Sequence, residues 1–243
     1  MKASGPFRSR RSFLQGAGGT AAALGLARVA AEAAGPDIPG FEKAKDDPNR
    51  SAGWTPVSDR KVRVGIVGCG YCKFGTLFGF QDHPNVEVVA VSDLIPERCA
   101  ELAQACRCPK TYPSLEELVK DDRIEAVFVA TDAPSHARHC MEVLAHGKHV
   151  ATAVPAVFGS VEDAHRLLDA VKRSGRTYMM CETSCCHEDL PAMRQIYRAG
   201  GFGKIVYAEG EYFHYHDRPI PSCMGWREGL PPQWYPTHAT AYF

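Results

Sequence analysis

The sequence predicts an α/β fold of the Rossmann type, with a doubly wound parallel sheet that helices cover on both faces. Short apolar, β-branched segments alternate with amphipathic segments from Lys61 to Cys181, as in parallel strands joined by crossover helices. The first apolar segment breaks into Gly68-Cys69-Gly70, and Asp93 stands at the end of the second. A glycine turn after the first strand and an acid after the second are typical of the opening βαβ unit of this fold.

The individual elements follow from apolar spacing and helix-capping residues. The predicted strands are Val62–Val67, Val86–Ser92, Ala126–Ala130, His149–Thr152 and Thr177–Cys181. The predicted helices are Phe74–Gln81, Pro96–Ala105, Ser114–Val119, Ser135–His146 and Ser160–Ser174. At two helix starts a serine precedes an acidic residue by three positions, Ser114 with Glu117 and Ser160 with Asp163. This is the spacing of a capping box or its acidic analogue.

The pattern changes after Cys181. Residues Glu188–Ala199 are predicted to form a helix, and Lys204–His214 a long strand. A strand of that length needs neighbours for its backbone groups, and the remaining sequence contains too few. We therefore expect residues 61–181 to form the Rossmann domain. Residues 182–243 are expected to be the start of a C-terminal α+β domain, cut short by truncation of the chain.

The glycine turn and Asp93 predict binding of a dinucleotide. The glycines let the backbone turn tightly and approach a pyrophosphate, which the amino end of the next helix stabilises. Asp93 stands where an acid hydrogen-bonds the ribose diol, and its charge repels a 2′-phosphate. NAD is therefore favoured, whereas Arg98 leaves NADP open. Lys73 stands where the motif usually has a third small residue, and the next glycine is Gly75, so a glycine-rich turn without a nucleotide is the alternative.

The N-terminal residues 1–34 are predicted to be a twin-arginine signal peptide. Arg10-Arg11 is followed at the expected spacing by Phe13-Leu14, then by a weakly apolar run and small residues that suit a signal peptidase. The run is too short to span a bilayer, which takes about 20 apolar residues. Because such signals are addresses read by a receptor, we expect export, to the periplasm or otherwise outside the cytoplasm. A basic leader or a general secretory signal is the alternative, and residues 35–60 are predicted to be an extended arm.

Composition narrows the classes of partner. The 28 basic and 28 acidic residues balance, so nothing in the charge favours a nucleic acid or an anionic membrane, and the only membrane contact expected is with the export machinery. Among the ten cysteines, Cys69 and Cys72 lie in the glycine turn, where Cys72 could join a metal site only by displacing the phosphate, and Cys106–Cys108 and Cys185–Cys186 lack the paired spacing of a structural zinc site. We therefore expect free thiols, with disulfides left open by an oxidising exterior. Homo-oligomerisation is left open.

Several motifs in order resemble one family. They are the turn Val64–Gly70, Asp93 with Arg98, the strand-to-helix turn Ala130–His136, the segment Gly147–Val150 and the junction Gly200–Ile205. Together they are similar to the Gfo/Idh/MocA family, which includes glucose–fructose oxidoreductase and inositol dehydrogenase. The resemblance implies an NAD(P)-binding domain followed by a substrate domain. With the rule that ligands lie beyond the carboxyl ends of parallel strands, it implies that the cofactor is bound by Gly68, Cys69, Gly70, Asp93, Arg98, Thr131, Pro134, His136 and Pro155.

The resemblance fails at one position that matters for chemistry. After the fifth strand the family usually carries Glu-Lys-Pro, whose lysine helps to hold substrate and tune proton transfer, whereas this chain has Ala153-Val154-Pro155. Val154 has neither a charge nor a proton to exchange. The family also has an acid/base histidine in its substrate domain, and His238 is the candidate for that catalytic role. A hydrogen-bonding loop histidine is the alternative for His238, since the aspartate that follows the family's histidine is absent.

Three further residues are predicted to contact substrate. His214 and Trp226 belong to an aromatic and imidazole-rich segment that suits a polyol, and Glu182 follows the last strand of the sheet. Two alternatives stay open: His214 with His216 on one strand face is spaced for a metal, and Glu182 is placed to cap the next helix. We favour the sugar-binding interpretation and expect no metal site.

The combined expectation is an NAD(P)-dependent oxidoreductase that acts on a sugar, polyol or related carbohydrate alcohol. One alternative on the same fold is a glycosidase in which the nicotinamide is transiently reduced and sugar elimination follows. A second, from another class, is a non-catalytic nucleotide or sugar binder, which the valine at position 154 motivates.

Overall fold

The computed structural model describes residues 58–70, 73–187, 189–215, 217–218 and 225–242. The predicted signal peptide and nearly all of the predicted arm lie outside the described residues. The chain divides into two compact units, and the described part of the smaller unit is Met193–Lys204. The sheet and the candidate sites belong to the larger unit, which contains the other described residues.

The larger unit is built on a six-stranded parallel sheet, in the order β3-β2-β1-β4-β5-β6. The strands are β1 (Val62–Val67), β2 (Val86–Ser92), β3 (Thr111–Tyr112), β4 (Ala126–Val129), β5 (His149–Thr152) and β6 (Tyr178–Met180). The five strands predicted within residues 61–181 are confirmed to within one residue at each end. The short β3 was not predicted, because two residues without an apolar run give no periodic signal.

The helices alternate with these strands as the doubly wound fold requires. They are α1 (Phe74–Leu77), α2 (Pro96–Ala105), α3 (Leu115–Leu118), α4 (His136–Ala145), α5 (Val161–Ser174), α6 (Asp189–Arg198) and α7 (Thr237–Thr240). Short 3₁₀ turns occupy Phe80–Asp82, Ala133–Ser135, Thr183–Cys186 and Pro232–Trp234. None of the described helices has the length and apolar character that a membrane crossing requires.

Both predicted capping residues are confirmed. Ser114 Oγ accepts a hydrogen bond from the Glu117 backbone N–H at 3.3 Å, and Ser160 Oγ accepts one from Asp163 at 3.1 Å. Each serine satisfies a backbone donor that has no partner inside its helix, so the starts of α3 and α5 are fixed locally. Helix α5 then ends at Gly175, whose φ of 61° is left-handed and suits glycine.

The first predicted helix, Phe74–Gln81, is shorter than expected. It ends at Leu77, and Gly79 takes a left-handed φ of 65° before the 3₁₀ turn. This break brings Phe78 and Phe80 onto Phe128, with ring centroids 5.2 and 4.9 Å away. Aromatic packing against the sheet therefore takes precedence over continuation of the helix.

The predicted strand Lys204–His214 is wrong in the described structure. These residues have no regular secondary structure, and Val206 and Phe213 are 88% and 80% exposed. A strand requires hydrogen-bonding neighbours, and the described part of the chain pairs none with this segment.

Alternating residues of the central strands face two hydrophobic cores. Ile66 and Phe128 point into one core, together with side chains of α2. Val67, Val127 and Val129 point into the other, where α3, α4 and α5 cover the sheet. The sheet is therefore buried on both faces, as parallel sheets are.

Replacement of Phe128 tests this packing. Phe128 is 1% exposed, so Phe128→Ala should lower the free energy of unfolding by about 3–5 kcal/mol, as cavity-forming changes of phenylalanine do. Urea unfolding followed by circular dichroism measures the loss. Phe213→Ala, at a side chain that is 80% exposed, is the control and should change stability little. Equal stability of the two variants would contradict the assignment of this core.

Candidate functional site

The chain reverses its direction of winding between β1 and β4, and ligands of open parallel sheets bind at such a point, beyond the carboxyl ends of the strands. Gly68 and Gly70 lie here, with left-handed φ values of 87° and 74°. A Cβ on Gly68 would stand 2.6 Å from the Ala130 carbonyl oxygen. Only glycine therefore lets the turn after β1 pass so close to the end of β4.

Gly75 supplies the close contact that the motif normally obtains from its third small residue. A Cβ at this position would lie 2.4 Å from the Gly68 carbonyl oxygen. Lys73, which holds the usual position of that residue, instead takes a left-handed φ of 55° at the start of α1. The described α1 has only four residues, so a bound pyrophosphate would depend on backbone N–H groups more than on a long helix dipole.

A cleft of about 490 Å³ opens at this edge of the sheet. Of the residues predicted to bind cofactor or substrate, those that line it are Gly68, Gly70, Asp93, Arg98, Thr131 and Trp226. Sequence reasoning missed several other lining residues, among them Leu94, Glu116, Asp132, Arg138 and His139. A further cavity of about 630 Å³ lies at the opposite edge, near the amino ends of the strands, where this fold does not bind its ligands.

Asp93 joins the two loops that form the floor of the cleft. Its Oδ2 accepts a hydrogen bond from the Cys69 backbone N–H, and its Oδ1 accepts one from Ile95, both at 2.9 Å. A carboxylate has about four acceptor positions, so it retains capacity for a ribose diol. The geometry of the glycine turn and the free acceptor positions of Asp93 fit a dinucleotide.

Cys69 contributes to the turn through its backbone. The side chain is 2% exposed, and burial raises the pKa of the thiol. Its N–H is donated to Asp93, and Cys69 is not among the residues that line the cleft, so its contact with cofactor stays a prediction.

Three other predicted cofactor residues do not line the cleft. His136 is 1% exposed and lies between two carbonyl oxygens, with Nδ1 2.7 Å from Pro155 O and Nε2 3.0 Å from Thr131 O. Burial lowers the pKa of His136, while the hydrogen bonds to the Pro155 and Thr131 carbonyl oxygens act in the opposite direction. Pro155 is buried and Pro134 is exposed outside the cleft. His136 and Pro155 therefore join the loop after β4 to the loop after β5.

A second polar cluster follows β6 at the same edge. His238 Nδ1 lies 2.6 Å from Glu182 Oε1 and 3.3 Å from Ser184 Oγ, and the side chains of His238 and Glu182 are more than nine-tenths buried. Glu182 Oε1 also accepts the Ser184 backbone N–H at 2.8 Å and so caps the 3₁₀ turn. Glu182 therefore caps a 3₁₀ turn and not the next α-helix, as the alternative expected, and it makes a contact with His238 that the sequence did not reveal.

Two buried oxygens of this cluster are unsatisfied. Glu182 Oε2 and Thr237 Oγ1 have no hydrogen-bond partner among the described residues. Buried polar atoms normally have partners. The cluster therefore has capacity for further hydrogen bonds beyond those within the chain.

The aromatic residues of the C-terminal segment surround His238. The ring of Tyr212 lies 4.3 Å from that of His238, and Tyr212 Oη is 2.8 Å from His214 Nε2. His214 itself is exposed. The structure thus places His214 one side chain away from His238, and not against it.

Trp226 is connected to His238 through Tyr235, whose ring lies 6.3 Å from that of Trp226 and 6.0 Å from that of His238. It packs edge-on against Phe158 at 5.4 Å and also lines the nucleotide cleft. Val154 is 4% exposed, and its carbonyl oxygen accepts a hydrogen bond from Tyr235 Oη at 3.2 Å. The C-terminal segment is therefore attached beside β5 through backbone at the position where the family usually has lysine.

No group of His, Cys, Asp or Glu residues spaced for a metal occurs within the ranges that the structure describes. His216, half of the metal alternative, lies outside those ranges. Cysteines that the structure describes, such as Cys99, Cys140 and Cys181, are free thiols.

Comparison with known proteins identifies relatives of this chain. The model of the Gfo/Idh/MocA family, described as "Oxidoreductase family, NAD-binding Rossmann fold", matches residues 62–182. A glycosyl hydrolase family 109 protein of Porphyromonas gingivalis is 30% identical over 164 residues, which cover 63% of this chain and 34% of the relative. Another, from Shewanella pealeana, is 27% identical over 95% of this chain and 53% of its own length. The chain spans about a third to a half of these curated relatives.

Solved structures share the fold. The WlbA dehydrogenase of Bordetella pertussis, in complex with NADH and UDP-GlcNAcA, superposes with a TM-score of 0.56 and 25% identity, over 61% of this chain and 43% of that one. The apo scyllo-inositol dehydrogenase of Lactobacillus casei has a TM-score of 0.55 at 16% identity, over 60% and 44%. The chain therefore belongs to the Gfo/Idh/MocA family of oxidoreductases, with residues 62–182 as its NAD-binding Rossmann domain.

Proposed function

We propose that this chain is part of an NAD-dependent enzyme that oxidises a hydroxyl group of a carbohydrate. The observation that carries the proposal is the His238–Glu182 pair, which follows β6 at the same edge of the sheet as the nucleotide cleft. An alcohol oxidation needs a hydride acceptor and a proton acceptor. The cleft and the pair are matched to these two tasks.

Glu182 determines which nitrogen of His238 is basic. A carboxylate can only accept, so Glu182 Oε1 receives the Nδ1–H of His238 across 2.6 Å. The neutral ring then has its lone pair on Nε2, and the adjacent carboxylate stabilises the imidazolium that forms when Nε2 takes a proton. Nε2 has no hydrogen-bond partner among the described residues. His238 is thus prepared as the general base, and Glu182 as its positioning residue.

Bound NAD supplies the hydride acceptor for this reaction. The chain's own residues then have to orient the carbohydrate and remove the hydroxyl proton. Val154 cannot take that proton, because its side chain is aliphatic and buried. His238 Nε2 is the proton acceptor at this edge, and the exposed Tyr212–His214 pair beside it provides hydrogen-bonding groups that suit a polyol.

A second candidate is a glycosidase that uses the same oxidation transiently, with sugar elimination in between. Two observations favour it: the curated relatives are named glycosyl hydrolase family 109 proteins, and the lysine usual in the family is replaced by Val154. The proton-transfer residues would be the same in both reactions. What differs is whether reduced nicotinamide accumulates.

A pair of assays separates these functions. The chain, or a longer protein that contains it, is incubated with NAD and either free sugars or their nitrophenyl glycosides. Growth of the reduced-nicotinamide absorbance with free sugars supports the dehydrogenase. Release of nitrophenol without net reduction supports the glycosidase. If neither signal appears while NAD binds, the protein is a non-catalytic binder and the enzymatic proposal is wrong.

Loss of His238 should abolish most of the activity found in those assays. His238→Ala should lower turnover by about 100-fold or more, as removal of a general base does, with NAD affinity unchanged. Steady-state kinetics and calorimetric NAD binding measure the two effects. His165→Ala, on the exposed face of α5, is the matched control. Unchanged turnover of His238→Ala would shift the assignment of the base to Glu182 or His214.

Asp93 should control the choice between NAD and NADP. Asp93→Ser removes the acceptor for the ribose and the repulsion toward a 2′-phosphate, and it loosens the Cys69 and Ile95 N–H contacts. We expect NAD to bind about tenfold more weakly, the scale of one or two lost hydrogen bonds. NADP should bind more tightly than it does to the original chain.

Calorimetry with both nucleotides checks this result. Glu97→Ser removes an exposed acid from the first turn of α2 and should leave both affinities unchanged. A preference of the unmodified chain for NADP would refute the role given to Asp93.

A further inference from the structure

We propose that His139 positions the hydroxyl of Thr131 as a hydrogen-bond donor into the nucleotide cleft. The proposal rests on the binding of NAD in that cleft. Thr131 follows β4, and both residues line the cleft. His139 is on α4 and is 8% exposed. Sequence reasoning gave His139 no role.

Arg138 fixes the protonation of the His139 ring. Arg138 Nη2 lies 2.7 Å from His139 Nε2. A guanidinium can only donate, so Nε2 must carry the lone pair and accept. Arg138 is itself held by Glu116, whose Oε1 lies 3.1 Å from Nη1. The acid and the guanidinium on the cleft wall therefore set the orientation of the histidine behind them.

The consequence reaches Thr131 through the other ring nitrogen. A neutral imidazole carries one proton, and if Nε2 is the acceptor then Nδ1 bears it. His139 Nδ1 lies 2.8 Å from Thr131 Oγ1, so the hydroxyl oxygen accepts from the ring. Burial and the neighbouring Arg138 charge lower the pKa of His139 to about 4, which keeps the ring neutral at physiological pH.

With its oxygen engaged by His139, the Thr131 hydroxyl has its own proton left to donate. No acceptor for the Thr131 hydroxyl proton is found among the described residues. The backbone of Thr131 lies next to the glycine turn, since a Cβ on Gly68 would stand 2.8 Å from Thr131 N. An acceptor oxygen of the dinucleotide near that turn, such as a pyrophosphate oxygen, is the group that this donor suits.

A double-mutant cycle tests the coupling with NAD as the probe. Thr131→Val removes the hydroxyl at constant shape, and His139→Leu removes the ring nitrogens. Each should weaken NAD binding by about tenfold in calorimetry, and the double variant should be no weaker than Thr131→Val alone. His139→Asn, which has the shape of leucine but keeps a donor near the Nδ1 position, should recover most of the affinity. Losses that add in the double variant, or no recovery with asparagine, would overturn the proposal.

The ring tautomer provides a test that does not depend on cofactor or on folding of the variants. Long-range ¹H–¹⁵N spectra of the unmodified chain should show His139 protonated at Nδ1, and a ring protonated at Nε2 would overturn the proposal. If the chain binds no NAD at all, the proposed function fails, and the tautomer still decides whether His139 presents Thr131 as a donor. His165→Leu, on the exposed face of α5, serves as the control for histidine loss in both measurements.

Discussion

The close passage of the β1 turn over the end of β4 is the constraint on which the rest of the structure depends. A side chain on Gly68 would meet the Ala130 carbonyl, and one on Gly75 would meet Gly68. Both contacts are with backbone, which cannot rotate away as a side chain can. Asp93 then ties the same turn to the loop after β2 through two backbone N–H groups. The position of the nucleotide cleft is therefore set by the main chain of this turn and by the Asp93 carboxylate.

The carboxyl edge of the sheet carries two polar arrangements with a common design. In each, one ring nitrogen of a histidine is hydrogen-bonded to a charged neighbour, and the other ring nitrogen is left for a different partner. Arg138 forces His139 to accept on one nitrogen, whereas Glu182 forces His238 to donate from one. The first ring consequently serves as a donor to Thr131, and the second keeps a basic nitrogen. Opposite charges beside the same residue type thus produce opposite chemical roles.

Sequence reasoning predicted the features that depend on local pattern. Apolar periodicity located five strands, and serine–acid spacing located the starts of α3 and α5. It failed where the outcome depends on distant partners. The alternation in 204–214 indicated a strand, but no segment that the structure describes pairs with it. The contact of Glu182 with His238 joins residues 56 positions apart. His139 gave no signal, because on sequence alone it is one more histidine on an amphipathic helix.

The hydrogen bond from Tyr235 to the carbonyl of Val154 makes the packing at that position independent of the chemistry of its side chain. Every amino acid has the same backbone carbonyl, so this hydrogen bond does not depend on which side chain residue 154 carries. A lineage can exchange a reactive lysine for an inert valine there without loosening the C-terminal segment from the sheet. The chemistry at position 154 can therefore change during evolution while the C-terminal segment stays bonded to the same carbonyl. The absence of the family lysine at 154 is thus compatible with an intact fold.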